Sequence, residues 1–370
     1  MTTALQGGSA LRMTLRESLY LDLVRSIAAF IVIIDHAPTL FDLPSLPRWG
    51  HHAVMVFFVL SGYVICHVAD TRENTPRVFL IARFARLWSV LVPAMILTVA
   101  CDWIGRHFGH NASAYVFAPI DYPFIRIFAA LTFLSESWFS IQPLSNGVIW
   151  SLCAEFWYYM LFAAWVFAPP GRMRIFLVGI GLFFAGHKAL LLLPIWIMGI
   201  VLERSIILRR LGPRSSLAFC IGGFLVVAWI LATSAYDPAI SRMRELVSPW
   251  IFTELAQARV FWFDWVFGAA VAAHLLGARK MVERIPVERI IVPIRWCAGV
   301  SFAAYLFHMP LLHLWAAFLP KHQGWLAIGL TLTVIAILGR LTERSKNWWR
   351  WLLERLLVLM LTRGRSVRAA

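Results

Sequence analysis

The sequence predicts an all-α, polytopic integral membrane protein with about ten transmembrane helices, N-in and C-in, and a C-terminal amphipathic helix. Three observations carry that prediction. Of the 370 residues, 60% are hydrophobic and 14% charged, with a mean hydropathy of +0.73; a soluble domain carries about a quarter charged residues. Apolar runs close to the ~20 residues needed to cross a bilayer recur along the chain. The 34 Lys and Arg favour alternate connecting segments by about three to one, the asymmetry that orients a membrane protein with its basic loops in the cytoplasm.

The elements follow in order. Residues 1–18 read as a cytoplasmic N-terminus. Arg12 and Arg16 suggest a signal-peptide start, but the apolar run after them carries Asp22 and Arg25 and no small-residue cleavage site, so it reads as a retained span. The transmembrane region, 19–341, holds spans at about 19–36, 51–69, 87–104, 147–168, 173–187, 189–203, 216–234, 258–277, 299–319 and 324–341. The fifth and sixth are short and read equally as one broken helix. The apolar stretch 124–140, interrupted by Ser135 and Glu136, reads as a re-entrant or surface helix, tolerable in lipid only under protein cover. The tail, 342–370, contains ERSKNWWRWLLERLLVLMLTRGR, in which basic and apolar residues alternate and Trp348, Trp349 and Trp351 cluster. It reads as an amphipathic helix on the inner leaflet.

Composition also argues against several functions. The net charge of +15 invites a nucleic-acid partner, but the basic residues sit in short loops between spans, where they set orientation. The five cysteines are scattered without C-x-x-C or Cys/His spacing, which speaks against structural zinc and a disulfide framework. No metal is expected. Without a separate soluble domain, any chemistry lies in or beside the membrane.

The first span poses the functional question. Leu23 to His36 reads LVRSIAAFIVIIDH. On a helix, Arg25 and His36 lie about 20° and some 16 Å apart, from ~100° and ~1.5 Å per residue. Ser18, Ala28, Ala29 and Val32 share that side. Charges within a span normally face a cavity or a partner, so this face reads as one wall of a polar channel, a cation inside and an imidazole outside. The structural alternative has Arg25 paired with Asp22 or Glu155 and His36 ending the helix.

Other spans carry matching features. Ser151, Glu155 and Tyr158 or Tyr159 stack along the fourth span, and Ser301, Tyr305 and His308 along the ninth. Arg83 and Arg86 sit three apart at the entry of the third, in cation anchoring or phosphate binding. Cys153 is a weaker candidate for an acyl-carrying thiol. His51 and His52 stand at the outer mouth of the second span. Ser61-Gly62 reads as a close helix approach, and no G-x-S-x-G elbow is present.

In chain order, Arg25 with ten residues to His36, FFVLSGYVI (57–65), RFARLW (83–88), WSLCAEFWYYM (150–160), SFAAYLFHMPLL (301–312) and the Glu343 of LTERSK resemble the signature of the acyltransferase family 3 membrane proteins. This chain departs from the family pattern at Ala53, Val54 and Met55 (often Gly-Val-Asp), at Ser89 (commonly Pro) and at Ser345 (usually Pro). The resemblance implies an O-acyltransferase of a bacterial inner membrane. It would carry an acetyl or succinyl group from acyl-CoA across the membrane to an exported polysaccharide or lipid-linked sugar, as the exopolysaccharide members of succinoglycan type do. On that reading His36, Arg25 and Glu155 are catalytic, and Arg83, Arg86, Tyr158, Ser301, Tyr305 and His308 bind the donor. His36 suits a base, since imidazole's ordinary pKa lies near neutral. Membrane lipid, the sugar acceptor and polysaccharide assembly proteins are the expected partners. The rival reading is a transporter or flippase for lipid-linked sugars, though paired, broken spans in two related halves are not evident.

Overall fold

The computed structural model describes residues 13–44, 48–205, 210–283 and 285–366; the side chains of 343, 344 and 360–366 lie outside that description. Most of the 1–18 segment, the Glu343 carboxylate and the last turns of the tail therefore fall outside it. Among the described residues the protein is helical and contains no strand. Helices are α1 (Leu15–His36), α2 (Gly50–Thr71), α3 (Pro76–Phe108), α4 (Pro123–Leu131), α5 (Ile149–Phe167), α6 (Arg172–Arg204), α7 (Pro213–Ala232), α8 (Tyr236–Leu246), α9 (Pro249–Leu255), α10 (Phe261–Val282), α11 (Ile291–Phe318) and α12 (Gly324–Ser366).

Among the described residues, eight helical stretches are long and apolar enough to cross a bilayer. Asp22, Arg25 and Asp35 make α1 too polar for that set, yet its Ala28, Ala29, Val32 and Ile33 are buried in the core between neighbouring helices. The run α6 is two helices that meet at Gly186, where φ is 72°. At one end Arg174 bonds the Ala168 carbonyl that ends α5; at the other Arg204 lies over Phe162 near that same end and pairs with Asp70. The halves thus fold back on each other, and the short fifth and sixth spans are an antiparallel pair. With α1, the crossings among the described residues number ten.

Alternation of ends is visible in the cross-helix contacts. One end of the bundle joins Glu17 to Arg279, His67 to Glu203 and Arg83 to Glu73. The other joins His36 to His308, His51 to Asp264, and the backbones of Asp42 and Lys321. The first end carries the basic connecting segments and is the cytoplasmic one by the charge rule.

The 124–140 stretch dips into the protein. The short helix α4 descends to Leu131, whose carbonyl accepts from the Trp88 indole at 3.2 Å. The chain turns at Phe133, φ 59°, and its carbonyl accepts from Trp157. It returns past Glu136, which pairs with Lys188 at 3.2 Å, to Asn146, bonded to Thr98 and Leu306. Side chains of α3 and α5 so satisfy irregular backbone that lipid would leave unpaired, and Lys188 of α6 pairs the Glu136 carboxylate.

Two close approaches hold α2 against the second half of α6. A Cβ at Gly62 would collide with the Trp196 carbonyl, and one at Gly199 with the Val59 carbonyl. The tail differs from the expected separate surface helix. α12 runs unbroken from Gly324 to Ser366, because no Gly or Pro falls between Gly339 and Gly364. At ~1.5 Å per residue it is about 65 Å long, twice the bilayer's hydrocarbon. Trp349 packs on Trp88, while Trp348 and Trp351 are exposed.

Candidate active site

A cavity of about 310 Å³ opens among α1, α2, α5 and α11. Along α2 its lining runs from Arg72 at the cytoplasmic end to Val54, roughly 27 Å at ~1.5 Å per residue. Arg72, Arg86, His67, Asp22 and Arg25 line the cytoplasmic half, and Phe57, Phe58, Leu152 and Phe302 the rest. Ser151 and Tyr305 also line it, their hydroxyls 2.7 Å apart. Both α5 and α11 put these residues inward because every third or fourth side chain shares a face.

Glu155 lines the cavity at mid-depth. Its Oε1 accepts from the hydroxyls of Ser61 and Tyr159, and Ser61 in turn accepts from the Trp196 indole at 3.2 Å. The close approach of α2 to α6 is what brings Trp196 to Ser61. Asp22 accepts from both Arg25 and Arg295, so α1 and α11 share one carboxylate beside the cavity.

One layer outward stand two histidines. Tyr305 is 6.2 Å from the His308 ring, centroid to centroid, and His308 Nε2 is 3.2 Å from His36 Nδ1. His308 Nδ1 faces the Ala304 carbonyl at 3.0 Å, and His36 Nδ1 faces the Val32 carbonyl at 2.8 Å. A carbonyl only accepts, so each Nδ1 carries its proton. His308 then offers a bare Nε2 to the His36 Nδ1–H, and the lone pair of His36 is on Nε2.

The sequence-derived candidates divide accordingly. Arg25, Arg86, Glu155, Ser301 and Tyr305 line the cavity. His36 and His308 do not; they form the pair beyond its outer end. Arg83 does not line it either: its Nη2 holds both oxygens of Glu73 at 2.6 and 2.7 Å, and its side chain is 6% exposed. Tyr159, not Tyr158, faces the cavity; Tyr158 is buried and donates to the Ala189 carbonyl at 2.6 Å. Cys153 is buried against Ser135, 3.1 Å away, outside the cavity lining.

Ser61, His67 and Arg72 line the cavity without having been singled out for binding. Ser61 was read as a packing residue only, although a hydroxyl beside Gly in a span opposite an intramembrane carboxylate is itself a signal. Outside the bilayer, Arg126 holds Asp121 through both carboxylate oxygens at 2.8 Å and pulls that carboxyl below its usual pKa.

The profile of an acyltransferase domain, that of acyltransferase family 3, matches residues 18–342. "Protein 2 in picA locus" of Rhizobium radiobacter is 38% identical over 84 residues, which cover 22% of this chain and 43% of that relative. The chain thus aligns with less than half the length of that relative. No solved structure matches.

Proposed function

Since the chain belongs to acyltransferase family 3, we propose that it takes an acetyl or succinyl group from acyl-CoA at the cytoplasmic face and transfers it to a hydroxyl of an exported polysaccharide or lipid-linked sugar. The membrane would be a bacterial inner membrane. The observation that carries this reading is one continuous cavity that has arginines at its cytoplasmic mouth and ends one layer below the His36–His308 pair.

On this reading the donor's phosphates meet Arg72 and Arg86, as guanidinium forks suit phosphate oxygens. The uncharged arm lies along the apolar walls, and Glu155 with its two hydroxyl partners holds the arm's amide groups. Arg25 holds the donor near its cavity wall, and Asp22 keeps that guanidinium in place. Tyr305, Ser151 and Ser301 border the thioester end.

His36 acts through Nε2. The acceptor hydroxyl loses its proton to this nitrogen as its oxygen attacks the thioester carbonyl carbon. The tetrahedral intermediate collapses with cleavage of the C–S bond, and the imidazolium returns the proton to the departing thiolate. The ester and free CoA–SH result, with no net proton released. His308 is a positioning residue, since its Nε2 accepts from His36 Nδ1–H and leaves Nε2 of His36 as the base.

The test uses inverted membrane vesicles, in which the cytoplasmic face is outside, supplied with radiolabelled acetyl- or succinyl-CoA. Label should enter lipid-linked or lumenal saccharide in the wild type and stay in CoA with His36→Ala at equal protein level. Equal ester formation by that variant removes His36 from the mechanism, and no transfer by the wild type from either donor removes acyl-CoA.

A further inference from the structure

The outer end of the bundle holds a second polar cluster that the transfer step does not use. His51, in the first turn of α2, has Nε2 at 2.8 Å from Asp264 Oδ1. Asp264 is in the first turn of α10 and is 0% exposed; the helix N-terminus favours a carboxylate there. Its acceptance from Nε2–H leaves the His51 lone pair on Nδ1. That Nδ1 and the second oxygen of Asp264 are both buried without a hydrogen-bond partner. Each buried unsatisfied polar atom costs about 1–3 kcal/mol, so this pair lacks two partners that a ligand's hydroxyls can supply.

Aromatic rings flank this imidazole. Trp150, in the first turn of α5, lies 6.4 Å from the His51 ring and within 14° of parallel. Tyr236, first residue of α8, is 5.0 Å away. His51, Trp150 and Tyr236 are each half-buried. The cluster adjoins the transfer site on two sides. Trp150 packs edge-on against Phe58 of the cavity wall, and Gly50, next to His51, abuts Asp35, next to His36.

We propose that His51, Trp150 and Tyr236, with Asp264 holding His51, form a subsite for a neutral pyranose ring of the acceptor. The proposal rests on the acyl-transfer reading and specifies its acceptor side. A pyranose presents an apolar C–H face and hydroxyls at its rim. The indole and phenol faces take the former; the bare Nδ1 accepts a hydrogen bond from a hydroxyl. The Asp264 carboxylate, one imidazole away, disfavours an anion at His51, while Arg259, which interacts with Tyr236, is the opposing charge. His51 is a binding residue here, and Asp264 acts through it.

Binding is measured apart from transfer. The detergent-purified full chain is titrated with methyl β-D-glucopyranoside and methyl β-D-galactopyranoside and followed by saturation-transfer NMR, with cyclohexanol as the control lacking the hydroxyl pattern. At least one glycoside should receive saturation at its ring C–H protons, and cyclohexanol should not displace it. Tyr236→Leu and His51→Leu should weaken binding at least tenfold, and Asp264→Asn should do so if it elutes as a folded monodisperse protein. Tyr236→Leu leaves the His51–Asp264 pair intact, so it decides the matter if Asp264→Asn misfolds. Unchanged affinity in Tyr236→Leu and His51→Leu overturns the subsite, as does binding of neither glycoside by wild-type protein. Glycoside binding that is lost in these variants, by protein that transfers no acyl group, would keep the subsite and reject the donor reading.

Discussion

Arg83 offers the sharpest contrast between a ligand role and a structural one. Its sequence position, three before Arg86 at the mouth of α3, suits phosphate binding. Its side chain instead grips Glu73, in the turn between α2 and α3, with both N···O distances at or below 2.7 Å and exposures of 6% and 16%. Removing one partner of a buried pair costs about 3–5 kcal/mol. Glu73 is close enough to water to rehydrate in part, so Arg83→Ala should fall near the bottom of that range, ~3 kcal/mol. At ~2.1 cal/mol/K of unfolding entropy per residue over 370 residues, this lowers the melting temperature by about 4 °C. In the double variant Glu73→Gln/Arg83→Gln no charge is left behind, and it should recover at least half of the loss. The assay is thermal unfolding of purified protein followed by size-exclusion chromatography, alongside acetyl-CoA KM. Arg83→Ala should hold KM within about twofold, while Arg86→Ala, which removes a charged donor worth ~1.5–3 kcal/mol, should raise it by roughly 10–100-fold. An Arg83→Ala protein that melts like wild type yet raises KM tenfold would refute the argument and return Arg83 to the donor site.

Three other outcomes follow from the packing. His308→Ala should lower kcat by ~10–100-fold, less than the 10²–10⁴ of losing a base outright, with KM held within about twofold, because the Val32 carbonyl still keeps the His36 tautomer while the ring loses its second Nδ1–H acceptor; a KM that rises as much as kcat falls argues for packing alone. Gly199→Val forces α2 from α6 and should abolish folded protein in a fluorescence-detected size-exclusion assay, whereas Gly299→Val, with open space around its Cβ, should behave as wild type. Ser61→Ala, which takes one hydroxyl from Glu155, should cost ~1 kcal/mol of stability and reduce transfer less than Glu155→Ala in the vesicle assay.

Much of the architecture was legible because a bilayer restricts the choices. Apolar length and loop charge located the ten spans, including the short pair that Gly186 folds back, and the Ser135/Glu136 interruption marked the re-entrant stretch. Helical periodicity also gave the shared side of Arg25 and His36. It could not give partners across helices, since a period fixes a residue's face on its own helix and leaves the neighbour's rotation open. Tyr158 and Tyr159 differ by ~100° about the axis, and only the position of α6 decides which one meets the cavity. Arg83 and Arg86 share a face, yet Arg83 is held by Glu73 in the turn after α2 while Arg86 lines the cavity. The tail was read as a separate helix from its change in composition, but composition without a Gly or Pro does not break a helix. Asp264 carries the signal of an intramembrane carboxylate, but its partner His51 is 213 positions away, a distance no helical period spans.

The lengths explain why a cavity-lining arginine and a distant histidine belong on one helix. The cavity covers ~27 Å along α2, nearly the ~30 Å of hydrocarbon. A donor whose phosphates stop at Arg72 and Arg86 cannot follow its acyl group inward, because moving that charge into apolar surroundings costs far more than a guanidinium pair returns. Only an uncharged arm can run past Phe57 and Leu152 to Tyr305. The separation of cationic mouth and imidazole therefore selects for a long, neutral, flexible linker between anion and thioester. On the proposed acyl-CoA reading it would also separate the compartments: the nucleotide end would remain at the cytoplasmic mouth while the reactive carbon reaches His36, so that the acyl group would cross the membrane without its carrier.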